Sequence, residues 1–271
     1  MATTFPLNGQ NAVNRYKHQA TYDVDTIHSI VNSTPVLHIS FVPDPSTPFP
    51  VVLPMIGQMG LWPGDSSDSS EWACYLHGYV TSRVMKLADE AISRGEDGMP
   101  CCVCATKVDG LVLTLTPYSH NYNYRSAILH GFASIVTDED EKLWAMELIT
   151  NSVVPDRWAN SRVPPEKSEQ QSTRILKMKI SAASGKVREG VPEDERRDMK
   201  RDDVLDRVWT GVLPVYETIG EPQPGPYNRV KKIPEHVASF VKASNEQNKK
   251  YAYEASHKPA PQKRKKPGED D

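Results

Sequence analysis

A polar stretch between two predicted β-strands carries the side chains best suited to binding. Residues 120–126 are seven consecutive polar or phenolic residues, flanked by the apolar runs 111–115 and 127–136. The stretch supplies an imidazole, amides, phenols and the guanidinium of Arg125. Such groups fit a hydrophobic core poorly, because each buried polar group needs a hydrogen-bond partner. They suit a ligand that is polar, anionic and aromatic.

The start of a predicted helix offers a phosphate site. Residues 80–95 repeat apolar side chains on one helical face, with Thr81 or Ser82 as the N-cap and Gly95 at the left-handed position after the last turn. The first turn therefore presents free backbone N–H groups, a hydroxyl and Arg83 together, which suits a phosphate by geometry and by the helix dipole. An ordinary capped helix with a solvated arginine is the alternative, and these residues alone leave both open.

Composition and charge restrict the class of protein. The chain has 271 residues and a net charge of −3, which does not indicate nucleic-acid binding. No apolar run approaches the roughly 20 residues that span a bilayer, and the N-terminus lacks the apolar core of a signal peptide. We therefore expect an intracellular, cytoplasmic protein. A run of cations near the C-terminus is typical of nuclear import or polyanion binding, with a solvated tail as the alternative: Lys263, Arg264, Lys265 and Lys266.

The four cysteines do not form the two clusters typical of a structural zinc site. Cys101, Cys102 and Cys104 lie within four residues, Cys74 stands apart, and the sequence contains no second cysteine cluster. We expect reduced thiols and no metal site.

Periodicity predicts a mainly β fold with a few helices. Helices are predicted over residues 21–33, with Asp23 as the N-cap, 80–95 and 138–152, with Asp138 and Glu141 forming a capping box. Strands are predicted over 36–42, 51–56, 72–76, 100–107, 111–115, 127–137, 176–180 and 208–215. Asp109 and Gly110 predict a turn, Gly131 predicts the close approach of a ligand or a neighbouring backbone, and residues 57–71 and 184–194 read as loops.

These elements favour one large domain. Strands and helices do not alternate as βαβ units, so an antiparallel barrel with peripheral helices fits best. We expect an N-terminal arm over residues 1–20, the domain over 21–222 and a disordered, charged tail over 223–271.

Five short motifs, in chain order, resemble one family. The resemblance is to the flavin-nucleotide-binding branch of the pyridoxamine 5′-phosphate oxidase-like superfamily, the FMN-binding split barrels, which includes nitroimidazole-resistance-type proteins. It covers about residues 22–222. The motifs are His77-Gly78 with Ser82-Arg83; Asp109-Gly110-Leu111-Val112; Asn123-Tyr124-Arg125-Ser126 with Gly131; Ser184-Gly185-Lys186-Val187-Arg188 with Gly190 and Pro192; and Val208-Trp209-Thr210-Gly211-Val212-Leu213-Pro214.

The resemblance implies an antiparallel FMN-binding split β-barrel and a cofactor site. It implies that Ser82, Arg83 and Arg125 hold the FMN phosphate. The strand carrying Val52 and Pro54 would run beneath the flavin ring. Further residues of the implied cofactor site are His77, Gly78, Asn123, Ser126 and Trp209. Relatives are homodimers, so the resemblance implies a homodimer with FMN at its interface and Trp209 packed across it.

The resemblance also suggests a reaction. We expect an FMN-dependent oxidoreductase that takes hydride from NAD(P)H or an organic donor and passes it to a small organic acceptor. Tyr122, Lys186 and Arg188 are the candidates for the substrate side. Packing in the barrel wall is the alternative for Tyr122, and solvated loop charges are the alternative for Lys186 and Arg188. His120 is a candidate proton donor.

Departures from the family pattern argue against pyridoxamine phosphate oxidation. Asn121 and Tyr122 stand where the branch has Ser-Met, Val212 and Leu213 stand where the oxidase has an arginine, and no Arg-x-His follows. Two other functions stay open: a flavin-binding carrier or sensor without turnover, and a fold relic that serves a protein partner.

Overall fold

The computed structural model describes residues 4–44, 46–64 and 72–259. These residues form nine strands and six α-helices, with two short 3₁₀ turns at Lys17–Gln19 and Asp198–Lys200. The strands are β1 Ala20–Thr21, β2 Leu37–Phe41, β3 Val51–Met55, β4 Gly57–Gly60, β5 Ala73–Tyr79, β6 Met99–Leu113, β7 Asn121–Ile135, β8 Thr173–Arg188 and β9 Gly211–Pro214. The helices are α1 Val24–Asn32, α2 Arg83–Ser93, α3 Glu139–Val153, α4 Lys167–Ser172, α5 Asp202–Leu205 and α6 Glu235–His257.

The chain divides into two compact units. Among the described residues, the first unit takes those up to Ala12, Tyr22–Thr106 and Ala127–Gly185. The second takes Val13–Thr21, Lys107–Ser126 and the residues from Lys186 onward. β6, β7 and β8 contribute residues to both units.

The first unit is built on an antiparallel sheet. Its strands follow the order β3-β2-β6-β7-β8-β5-β4. Register places Ile39 of β2 opposite Leu53 of β3 and Val103 of β6. Tyr75 of β5 packs with Ala145 and Ile149 of α3 in the core. A mainly antiparallel β fold with added helices is therefore confirmed.

The second unit joins the ends of the long strands to α6. Gly110–Leu113 of β6 pairs with Gly211–Pro214 of β9, and α6 contacts β9. Asn245 of α6 accepts a hydrogen bond from Ile219 N at 2.7 Å and donates one to Ile219 O at 2.8 Å. The side-chain amide thus ties the helix to the segment that follows β9.

Local helix signals in the sequence are confirmed. Asp23 and Asp138 are N-caps whose carboxylates accept hydrogen bonds from Thr26 N and Glu141 N, each at 2.8 Å. Gly95 follows the last turn of α2 with a φ of 78°, the left-handed conformation that glycine adopts without strain. None of the helices in the described part of the chain is long and apolar enough to cross a membrane.

The predicted turn at Asp109 and Gly110 is wrong. β6 runs through both residues without a break, and Gly110 lies opposite Pro214 of β9. A Cβ at Gly110 would lie 2.8 Å from Val212 Cγ1, so this glycine permits close strand packing rather than a turn. Asp109 is buried and paired with Arg125, so a tertiary ion pair overrides its turn preference.

Two predicted loops contain strand residues, because their pairing partners are remote in sequence. Part of the predicted loop over 57–71 is β4, which pairs with β5, while residues 65–71 lie outside the described residues. β8 extends through Arg188, so Lys186 and Arg188 lie on a strand and not in a loop.

The tail that we expected to be disordered contains the 23-residue helix α6. This helix buries Ala252, Ala255 and Ser256 on one narrow side. Because most of its other residues are polar, its composition does not indicate a buried face. Lys263, Arg264, Lys265 and Lys266 lie outside the described residues.

Candidate functional site

The start of α2, in the first unit, presents an unsatisfied hydroxyl. Ser82 is the N-cap with extended backbone angles, φ −65° and ψ 145°, but its side chain makes no capping hydrogen bond. Its Oγ is buried and has no hydrogen-bond partner among the described residues. A buried polar atom left unpaired costs about 1–3 kcal/mol, so this hydroxyl suits an additional acceptor such as a phosphate oxygen.

Gly78 lies beside that hydroxyl. A Cβ at position 78 would lie 2.4 Å from Met85 Cε, 3.3 Å from Met55 Cε and 3.8 Å from Ser82 Oγ. The end of β3, the end of β5 and the start of α2 thus converge, and the absence of a side chain on Gly78 lets the two methionines pack there. Gly78 and Ser82 thus lie close to Met55, the last residue of the strand that carries Val52 and Pro54, and the role of these residues at a cofactor stays a prediction.

A cavity of about 860 Å³ lies along α2. Arg83 and Lys86 line it near the start of the helix, and Arg94 lines it near the end. Arg94 is already engaged, since its Nε and Nη2 donate to Glu96 at 2.7 and 3.1 Å. Asp44, which also lines the cavity, has a lowered pKa because Ser46 donates hydrogen bonds to it and because Arg83 is near. The cavity therefore has a more cationic end at the start of α2.

Lys86 is a candidate that the sequence analysis missed. It lines the same cavity as Arg83 and lies three positions further along α2. Residues three apart lie on one side of a helix, so the spacing from Arg83 was the available signal.

β3 is an edge strand with an exposed face. It stands at the end of the strand order, and Val52 is 56% exposed. Val52 lies opposite Ser40, and Pro54 lies opposite His38, on β2. Proline is tolerated on an edge strand because it has no N–H to donate to a neighbouring strand.

His77 lies near the end of β5. Its backbone N–H donates to Ile56 O at 2.9 Å, which ties β5 to the residue that follows β3. Partial burial of the imidazole lowers the pKa of His77, which favours the neutral ring. A neutral imidazole here donates one hydrogen bond at one ring nitrogen and accepts one at the other.

In the second unit, Arg125 is held by the protein itself. Its guanidinium makes two hydrogen bonds to Asp109, and its Cζ lies 3.6 Å from the centre of the Tyr251 ring. Ser126 Oγ donates to the backbone O of Lys186 at 3.4 Å. These contacts account for both side chains within the unit, and their role at a cofactor stays a prediction.

Asn123 and Arg188 form a buried polar pair. Asn123 is fully buried, donates to Gly190 O at 3.2 Å and accepts a hydrogen bond from Arg188 Nη1. Arg188 is 4% exposed, and burial lowers its pKa. This arrangement orders the end of β8, and it explains both residues without a ligand.

The remaining candidates lie at the surface of the second unit. His120 is exposed, and its Nδ1 accepts a hydrogen bond from Thr114 N at 3.1 Å. The neutral ring therefore carries its proton on Nε2, which makes His120 a hydrogen-bond donor toward solvent. Tyr122 and Trp209 are 54% and 62% exposed, and Lys186 Nζ lies 5.4 Å from the ring centre of Tyr16.

Comparisons with known proteins agree with this fold. The sequence model of the family described as pyridoxamine 5′-phosphate oxidase matches residues 23–187. The flavocytochrome Anf3 from Azotobacter vinelandii is 28% identical with a TM-score of 0.69, covering 86% of this chain and 97% of that one. The FAD and haem binding protein from Mycobacterium smegmatis is 23% identical with a TM-score of 0.66, covering 82% and 97%. The search of curated proteins found no match.

The family model covers more than half of the chain, including β3, the end of β5 and the start of α2. The second structural likeness supports the fold alone, because its identity is low. The chain belongs to the pyridoxamine 5′-phosphate oxidase family.

Proposed function

We propose that this protein binds a flavin nucleotide at the start of α2 and is a flavin-dependent oxidoreductase that acts on a small organic molecule. The observation that carries the proposal is the buried Ser82 hydroxyl at the start of α2, which has no hydrogen-bond partner among the described residues. A bound flavin would supply hydride and electron transfer, chemistry that protein side chains do not provide.

The residues of the first unit would hold the two ends of the cofactor. Ser82 Oγ and the free N–H groups of the first turn of α2 would donate to the phosphate. Arg83 and Lys86 would add charge, and the planar guanidinium can bind two phosphate oxygens at once. The edge of β3 at Val52 and Pro54 would lie along the flavin ring.

We propose FMN as the flavin, with NAD(P)H as a donor of hydride. A single phosphate matches the group of donors at the start of α2. The M. smegmatis protein is described as an FAD and haem binding protein, so the flavin itself must be identified by experiment. We also propose a homodimer, which the 62% exposure of Trp209 supports.

Haem as an additional group is a second candidate. It is favoured by the likeness to a flavocytochrome over 86% of this chain. An absorption spectrum distinguishes a protein that binds flavin alone from one that also binds haem, because haem has an intense Soret band that flavin lacks.

The first experiment is the absorption spectrum of the purified full chain, followed by release and identification of the chromophore. Bound oxidised flavin absorbs at about 370 and 450 nm, as the cofactor does by itself. Flavin affinity is then compared for the wild type, Arg83→Ala, Lys86→Ala and Arg94→Ala. Arg94 is the matched control, since it lines the same cavity but is paired with Glu96.

We expect flavin to bind, and each of Arg83→Ala and Lys86→Ala to weaken it by about tenfold or more, the effect of one lost charge-assisted hydrogen bond. Arg94→Ala should bind as the wild type does. A wild type that binds no added flavin would refute the proposal, as would equal loss in all three variants. Reduction of the flavin by NAD(P)H without oxygen would separate an enzyme from a carrier or sensor.

A further inference from the structure

A thiol and an imidazole are paired on the first unit's sheet. Cys102 Sγ of β6 lies 3.1 Å from His130 Nδ1 of β7. Both side chains are partly buried. Cys104 lies on the same face of β6, two residues further on, but its sulfur contacts the hydroxyl of Thr106 at 3.7 Å. Cys102 therefore has a direct sulfur–imidazole contact, whereas the sulfur of Cys104 contacts a hydroxyl and has His38 opposite it on β2.

A cavity of about 330 Å³ includes this pair. Apolar side chains dominate its lining, among them Phe41, Val42 and Phe132. Its polar residues include Gln10, Ser40 and Ser181. Pockets that hold small molecules begin at about this size. Ser40 lies directly opposite Cys102 in the register of β2 and β6, so its hydroxyl is a neighbour of the thiol.

The pair has the arrangement of an activated nucleophile. Nδ1 of a neutral His130 can accept the thiol proton, while Nε2 keeps its own. Partial burial raises the pKa of Cys102, so little free thiolate exists at neutral pH. Its nucleophilicity then depends on a base that takes the proton as the new bond forms, and His130 occupies that position.

We propose that Cys102 and His130 form a covalent capture site for small α,β-unsaturated carbonyl compounds. The thiol proton passes to His130 Nδ1 while a sulfur electron pair forms a bond to the β-carbon of the ligand. The electrons of the C=C double bond move toward the carbonyl oxygen, and the protonated imidazole returns the proton to the α-carbon. The product is a thioether, and the step requires no oxidant or reductant.

The cavity explains this class of ligand. Its apolar lining suits the hydrocarbon part, and the hydroxyls of Ser40 and Ser181 can donate to the oxygen that becomes negative during the addition. The inference uses neither Ser82 nor Arg83, and the two cavities share only Val42 and Pro100 among the residues that line them.

The test measures rates of adduct formation at individual cysteines by peptide mass spectrometry, on the full chain, with cyclohex-2-en-1-one as the probe. Cys104 in the same molecules is the internal control. Three variants are compared with the wild type: His130→Gln, Ser40→Ala and Cys104→Ser. Iodoacetamide is the second probe, because its substitution reaction develops no charge on a carbonyl oxygen.

We expect cyclohexenone to modify Cys102 about a hundredfold faster than Cys104, the low end for general-base assistance. His130→Gln should slow Cys102 by a similar factor with both probes and leave Cys104 unchanged, whereas Ser40→Ala should slow Cys102 with cyclohexenone only. Cys104→Ser should leave the Cys102 rate unchanged.

Equal rates at Cys102 and Cys104 in the wild type would overturn the proposal, and this comparison holds even if a variant fails to fold. An unchanged Cys102 rate in a folded His130→Gln would also overturn it. Equal slowing with both probes in Ser40→Ala would overturn the assignment of the ligand class.

Discussion

The guanidinium of Arg125 and the carboxylate of Asp109 form a two-pronged ion pair inside the second unit. Nε to Oδ2 is 2.9 Å and Nη2 to Oδ1 is 2.7 Å. The Tyr251 ring covers the guanidinium and its hydroxyl donates to Glu189 at 2.8 Å, while Lys258 donates to the same carboxylate at 2.6 Å. This network attaches α6 to the long strands, so the C-terminal helix is held by charge and aromatic contact.

Replacing Asp109 should destabilise the protein strongly. Burial alone lowers the pKa of Arg125, and the hydrogen bonds and charge of Asp109 more than offset that effect, raising it above the usual value. Asp109→Asn leaves a buried guanidinium without its countercharge, which should cost about 3 kcal/mol in the free energy of unfolding. Urea denaturation measures the change. The double variant Asp109→Leu/Arg125→Met should recover much of it, and a loss below about 1 kcal/mol in Asp109→Asn would contradict the burial of the pair.

Tyr251 should stabilise α6 mainly through its ring. Tyr251→Phe removes the hydrogen bond to Glu189 and keeps the ring over Arg125, so we expect a loss of about 1 kcal/mol. Tyr251→Leu also removes the cation–π contact and should cost about 1–2 kcal/mol more. Thermal unfolding followed by circular dichroism compares the two variants. Equal losses would assign the stabilisation to the hydroxyl instead.

Gly131 should tolerate no side chain. A Cβ there would overlap the backbone oxygen of Lys179 on β8 and lie 2.9 Å from its carbonyl carbon. Gly131→Ala must therefore push the strands apart, at a cost of about 2 kcal/mol or more. Gly220→Ala is the matched control, because nothing lies within 4 Å of a Cβ at that position. Similar denaturation midpoints for the two variants would contradict the close approach.

The N-cap of α1 should make stability depend on pH. Hydrogen bonds from the Thr26 side chain and backbone lower the pKa of Asp23 below its ordinary value of 3.8. A carboxyl whose pKa is lower in the folded state stabilises the fold above its unfolded pKa, and the contribution is lost as the pH falls through the folded pKa. Asp23→Asn keeps a capping oxygen but does not titrate. The advantage of the wild type over Asp23→Asn should therefore shrink as urea midpoints are measured from pH 6 down to pH 3.

Local signals in the sequence located the start of α2, where we propose that the cofactor phosphate binds. Ser82 is the N-cap of α2 and Gly95 ends it, because capping and left-handed glycine depend on neighbours within one helical turn. Motif order also identified the family, since the matched residues follow one another along the chain.

Contacts between residues distant in sequence decided the course of β6 and the lining of the cavity along α2. Asp109 and Gly110 have the composition of a turn, yet Arg125 and β9 hold them in a strand. Lys86 lines the same cavity as Arg83 because of the orientation of α2, which is set by tertiary contacts.

The sequence by itself determined where α1, α2 and α3 begin, the antiparallel β class and the family, because these depend on local periodicity and short motifs. Only the tertiary structure decided that Arg125 faces Asp109, that Arg188 is buried against Asn123 and that α6 is ordered. The physical reason is that burial and ion pairing depend on partners 16 to 65 positions away, as in Arg125 with Asp109 and Arg188 with Asn123.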